Sequence, residues 1–246
     1  MSATIQPSID IRPKDQRFAT QIDWLDSRHS FSFGPHYDPA NTHFGLLLVS
    51  NDDVIAPATG FSTHPHRDME IVTWVLDGEL EHKDSEGNTG LIYPGLAQRM
   101  SAGTGILHSE INATSETPVH LVQMWVVPDT RRVRPAYAQL DINSELAKGG
   151  LVPVASGKGH DAAIDIRQEG AVLWAGRLKA NESVLLPDAA FVHLFVAKGD
   201  VSGPEIGALG PGDAARLTLP GALRVTAGAT GAEVLVWEMN NLIQFP

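Results

Sequence analysis

Two short stretches hold the residues best suited to metal chemistry. The first is Gly60-Phe-Ser-Thr-His64-Pro-His66-Arg-Asp-Met-Glu70, and the second is Gly103-Thr-Gly-Ile-Leu-His108-Ser-Glu110-Ile-Asn112. Each places two ligand-type side chains at i and i+2. On a β-strand that spacing puts both on one face. Two such strands facing each other inside a sandwich or barrel bring three imidazoles and a carboxylate to one point. Neutral imidazole with carboxylate suits a divalent first-row metal and needs no thiolate. The chain has no cysteine, which excludes disulfides and thiolate chemistry. A single His-x-His is weak, because histidines fall in loops by chance. The second pair, in a Gly-rich strand-and-turn context, strengthens it.

Strands separated by turns must position these residues. Phe44–Ser50 is a short apolar run that ends at Asn51-Asp-Asp53. Glu70-Ile-Val-Thr-Trp-Val-Leu76 is β-branched and aromatic, as strands are. Asp77-Gly78, Ser85–Gly90 and Pro94-Gly95 are turns. Val119–Val127 is the longest clear strand and closes at Pro128. Strands at this spacing predict an all-β sandwich or barrel. The 246 residues suffice for two units. The second half repeats the first weakly. Lys198-Gly199-Asp200 mirrors Asp77-Gly78, Leu209-Gly-Pro211-Gly212 echoes Tyr93-Pro94-Gly95, and Val234-Leu-Val-Trp237 echoes Val122-Gln-Met-Trp125. Aligned by these turns, Leu185 and Pro187 fall opposite His64 and His66, and Val225 and Ala227 opposite His108 and Glu110, to within a residue. The expected organisation is a metal-binding domain over 1–130, a linker over 131–150 and a second β domain over 151–246 that lacks the ligands. The basic cluster Arg131–Arg134 reads as solvated linker.

The rest of the composition excludes classes. A net charge of −11 argues against a face that neutralises nucleic-acid phosphates. No apolar run reaches membrane length. Met1–Pro7 shows no charged region followed by an apolar one, so no secretory signal is expected and the cytoplasm is the default. Monomer is the default assembly. His29, His36, His43, His160 and His193 share no strand face with another ligand and read as structural.

The chain resembles a known family at these residues. His64-Pro-His66-Arg, the strand to Asp77-Gly78, and Ser101-Ala-Gly103 through Leu107-His108-Ser-Glu110-Ile-Asn112 resemble the pirin family of the cupin superfamily. So does Trp24-Leu-Asp-Ser-Arg-His29-Ser-Phe-Ser-Phe33. The likeness covers most of residues 20–130 and thins after 135. It implies a bicupin, two tandem antiparallel β-barrel or jelly-roll domains with few short helices, whose N-terminal barrel holds one metal, usually iron. The family ligands fall on His64, His66, His108 and Glu110. The general cupin pattern offers Glu70 instead. Glu110 shares a strand face with His108 and is the preferred ligand. The same ligands accept Fe(II), Mn, Co, Ni, Cu or Zn.

The resemblance also implies an activity. Some members cleave quercetin and related flavonols with dioxygen, releasing carbon monoxide. The metal then acts as Lewis acid and template, with Glu110 as base for the substrate 3-hydroxyl. Phe33, Phe44, Phe61, Met69, Trp74 and Met124 are candidates to line an aromatic pocket. Other members are described as transcription-associated regulators, so a metal-binding regulatory protein with a protein partner is the alternative.

Overall fold

The structure, a computed structural model, describes residues 5–243. The first four residues of the stretch examined for a secretory signal lie outside that range. The chain is all-β, with one short helix, Asn143–Leu146, and one 3-10 turn, Lys14–Gln16. No helix among the described residues is long and apolar enough to cross a membrane.

Three sheets are stacked. A seven-stranded sheet runs in the order Ala136–Asp141, Leu96–Ser101, Glu70–Asp77, Val119–Val126, Leu47–Ile55, Leu25–His29, Phe18–Ile22. A four-stranded sheet, Gly60–His66, Ile106–Asn112, Leu80–Asp84, Thr89–Ile92, covers one of its faces. The nine-stranded sheet of the second half covers the other. Its centre is the long pair Phe191–Gly203 and Arg224–Met239.

This layering explains the continuous apolar runs. Glu70–Leu76 is buried at every position because the seven-stranded sheet has no solvent face at its centre. Toward the four-stranded sheet, Leu25, Ile55, Val75, Leu80, Val119 and Leu121 form one core. Toward the second half, Trp74, Leu76, Val122 and Met124 pack with Leu173, Phe195, Leu235 and Trp237. Trp74 Nε1 donates to Glu233 Oε1 at 2.7 Å across that junction. A third cluster, including Val192, Leu194, Leu217, Val225 and Val234, fills the second half alone.

Two strands cross the expected boundaries. Ser8–Arg12 leaves the first half and pairs antiparallel with Ala214–Thr218 of the second. Ala136–Asp141 lies in the stretch expected to be a linker, yet it pairs with Leu96–Ser101 of the first half. Each of the two strands thereby covers the edge of the strand it joins. Of the basic cluster, Arg134 is 88% exposed in its side chain and reaches Glu86 at 3.6 Å, consistent with a solvated surface. The second half keeps the scaffold with a one-residue offset. Val184 faces Val225 and is buried, whereas Leu185 is 51% exposed.

Candidate metal centre

The two ligand stretches are paired strands. Gly60–His66 lies antiparallel to Ile106–Asn112, with His108 opposite His64 and Ile106 opposite His66. The backbones approach closely near the site. A Cβ at Gly60 would sit 2.2 Å from the Glu110 carbonyl, and the φ of +155° there suits only glycine. The alternation expected of a strand is visible in burial. Ile106, His108, Glu110 and Asn112 point inward, and Leu107 points out. A bulge between His108 and Glu110 shifts the register, so Glu110 faces Phe61.

His64, His66 and His108 converge, with ligand nitrogens within 4.8 Å of one another. Glu110 does not join that triad. It groups with His108 and with His82, which stands opposite it on Leu80–Asp84. The two groups share His108. In this arrangement Glu110 Oε2 accepts from Gln123 Nε2 at 2.6 Å and Oε1 from Thr73 Oγ1 at 3.3 Å. Glu70 belongs to neither group. Its Oε2 accepts from Ser101 Oγ at 2.8 Å and from the Arg167 backbone N–H at 3.2 Å, which turns it toward the second half. Neither carboxylate is part of the triad itself; Glu110 shares His108 with it, and Glu70 shares none of its ligands.

The donor set fits a divalent cation. His66 Nε2 and His108 Nε2 are buried and have no hydrogen-bond partner. Buried polar atoms are rarely left so. His64 Nδ1 lies 2.8 Å from the Ser62 carbonyl, the kind of contact that fixes a ligand tautomer and leaves Nε2 free. Burial, followed by the neighbouring imidazoles, lowers His66 to about 4 and His108 to about 3. Both are neutral at pH 7, the state that binds metal.

His64 and His66 of the triad, together with Glu110, line one side of a cavity of about 290 Å³. Phe33, Phe61, Leu25 and Trp125 give it apolar walls, and Trp125 meets His66 edge-on at 4.8 Å. The far side is polar. Ser27 Oγ donates to Asp53 Oδ1, and His29 lies between Asn51 Oδ1 and Thr20 Oγ1, each at 2.9 Å. Burial pushes the Asp53 carboxyl up to about 7.

Only two of the six expected pocket residues line this cavity, Phe33 and Phe61. Phe44 stacks edge-on against Phe191 at 5.6 Å, and Met69 packs beside Ile71 and Met100. Trp74 and Met124 face the second half. Met124 points there because strand residues alternate, which leaves Gln123 and Trp125 facing the cavity. A glutamine inside an otherwise apolar run was the available signal. His82 was not singled out in the sequence, because only strand pairing brings it beside Glu110 and His108. It is fully buried, 3.3 Å from Asp84 Oδ2 and 4.8 Å from the Tyr137 ring.

Comparison with known proteins agrees with this geometry. The Pirin family profile matches residues 12–126. A Mycobacterium tuberculosis protein, provisionally named a quercetin 2,3-dioxygenase, is 56% identical over 95% of this chain and 96% of its own length. The chain belongs to the pirin family. An Escherichia coli K12 pirin relative named quercetin 2,3-dioxygenase is 40% identical over 79% of this chain and 83% of its own. The crystal structure of the E. coli pirin YhhW in complex with nickel(II) superposes with a TM-score of 0.87 at 35% identity, covering 96% of this chain and all of that one. That relative binds nickel(II), and the cluster of His64, His66 and His108 gives this chain a donor set suited to a divalent metal.

Proposed function

We propose that this chain is a metal-dependent flavonol 2,3-dioxygenase, which cleaves quercetin-like substrates with dioxygen and releases carbon monoxide. The observation that carries the reading is three converging imidazoles, two of them in the wall of an aromatic-lined cavity. The names of the relatives support it. His64, His66 and His108 would hold the ion, with Glu110 as the fourth ligand and Fe(II) as the proposed metal. When bound, the ion supplies Lewis acidity and a template for substrate and dioxygen.

The protein's own residues do the rest. Phe33, Phe61 and Trp125 orient a planar ring system and exclude water from the cavity. Ser27, His29, Asn51 and Asp53 offer hydrogen bonds to its hydroxyls. Glu110 is the proposed acceptor for the 3-hydroxyl proton. Thr73 and Gln123 hold its two oxygens, so they set how readily it turns toward substrate.

The test is direct. Protein loaded with iron is mixed with quercetin under oxygen, and loss of flavonol absorbance is followed together with carbon monoxide. Turnover that disappears in the double variant His64→Ala, Glu110→Ala is expected. No turnover by fully loaded protein would remove the enzyme reading. A stoichiometric protein partner recovered only with metal present would then favour the regulatory alternative.

A further inference from the structure

Among the described residues, five of the nine buried side-chain polar atoms without a partner line one small hollow away from the metal centre. They are Arg17 Nε, Ser30 Oγ, Asn41 Oδ1, His193 Nε2 and Arg216 Nε. The hollow measures about 20 Å³ and sits where the first half meets the second. An unmet buried donor or acceptor costs about 1–3 kcal/mol, so a polar body belongs there. The volume admits one body of water size and is too small for phosphate or sulfate.

Charge separates a neutral occupant from an anion. No described carboxylate lines the hollow, whereas Arg12, Arg17, Arg216 and His193 do. Two of the arginines already have counter-charges. Arg12 pairs with Asp10 at 2.7 Å and Arg17 with Asp52 at 3.2 Å. Arg216 forms no ion pair among the described residues. Its Nη2 donates to the Ser30 carbonyl at 2.8 Å, its guanidinium lies 4.5 Å over the Phe31 ring, and it is 5% exposed. Asp10 stands opposite Arg216 in strand register but is bonded to Arg12, so the two arginines share one carboxylate, and a buried cation without a counter-charge of its own is costly. Water would satisfy the donors and leave that charge uncompensated. A monatomic anion does both. Among the five unpartnered atoms Asn41 Oδ1 alone can only accept, since its amide nitrogen donates to the Ser30 carbonyl at 3.2 Å, so an anion leaves it unmet at a smaller cost than that of an unbalanced buried charge.

We propose that this hollow is a buried site for a single monatomic anion, chloride in ordinary buffers. Arg216, Arg17, Ser30 and the Nε2–H tautomer of His193 hold it. Ser30 comes from the first half, and His193 and Arg216 from the second. The anion therefore ties the halves together independently of the metal.

The experiment uses the full metal-loaded chain. Thermal unfolding is compared in sodium bromide, chloride and gluconate at equal ionic strength, and crystals grown in bromide are examined for anomalous scattering. The expected result is a rise in Tm of about 3–6 °C at a tenfold halide excess over Kd, continuing with the logarithm of halide concentration, with a bromide peak in the hollow. Arg216→Gln should abolish the rise. If that variant does not fold, Ser30→Ala should shift the same rise in Tm to several-fold higher halide concentration. Equal Tm values in gluconate and bromide, or crystals without a bromide peak there, would mean that the hollow holds water and would overturn the proposal.

Discussion

His108 stands across from His64 on paired strands of the first half. In the second half Val225 stands across from Val184. The first pair belongs to a cluster of imidazoles beside a cavity, and the second to an aliphatic cluster with Leu194 and Val234. One interior is polar and open, the other apolar and filled. Burial alone does not mark function, as two histidines show. His108 and His193 are both lowered to about 3, and in both burial is the largest cause. The next causes differ. They are His64 and His82 around His108, and Arg216 and Arg17 around His193. Convergent lone pairs make a metal site, whereas cations around a lone imidazole do not.

The largest effect should come from removing a ligand of the polar interior. His66→Ala should leave metal content near background and quercetin turnover below about 1% of wild type, a greater loss than the roughly 10–100-fold typical of outer-shell residues. Stability of the metal-free protein should change little, because a desolvated imidazole without a partner is removed. Metal analysis and thermal unfolding on the same sample check both halves of the statement.

The opposite pattern is expected in the filled interior. Leu194→Ala should cost about 2–5 kcal/mol of stability, from lost burial and the cavity left behind. Metal stoichiometry of the folded fraction should stay at the wild-type value. Denaturant unfolding with parallel metal analysis reads this. A drop in metal content at full folding would show that the two interiors are coupled.

Much of this was legible before the structure. The i, i+2 pairs gave the triad because strands alternate, and the turn echoes gave the duplicated scaffold. The offset at Val184 arises because turns locate a strand only to within a residue. The pocket was harder to read. Phe33 and Phe61 were found, but Trp74 and Met124 lie on a sheet buried on both faces, where apolar character cannot tell one side from the other. Strand exchange was invisible too. Nothing in Ser8–Arg12 announces a partner some two hundred residues away. His82 reaches the site only through pairing with Ile106–Asn112.

A smaller effect should sharpen the role of Gln123, which no residue of the apolar interior parallels. Gln123 Nε2 holds Glu110, and Gln123 Oε1 accepts from Trp125 Nε1 at 3.0 Å. Gln123→Leu keeps the volume and removes both bonds. Metal affinity should fall about 10–100-fold with Tm nearly unchanged, as read by competition with a chelator. An unchanged affinity would place Glu110 outside the ligand set, leaving the three imidazoles alone.

The smallest effect separates the two histidine environments by pH. The folded-state value of His193 lies below its unfolded value, so above about 6.5 both states are neutral and the residue is silent. As pH falls below 6.5 the unfolded chain takes up a proton that the folded chain refuses, and stability declines until about pH 3. His193→Gln removes this term. At pH 5 in gluconate, without halide, the variant should lose about 1–2 kcal/mol less than wild type relative to pH 7.5. The comparison is best made with the metal bound, because the ion holds His66 and His108 deprotonated and removes their share of the same acid response. If the two pH profiles of denaturant midpoint run parallel, His193 takes up its proton in the folded state, and its buried, cationic surroundings do not hold it neutral.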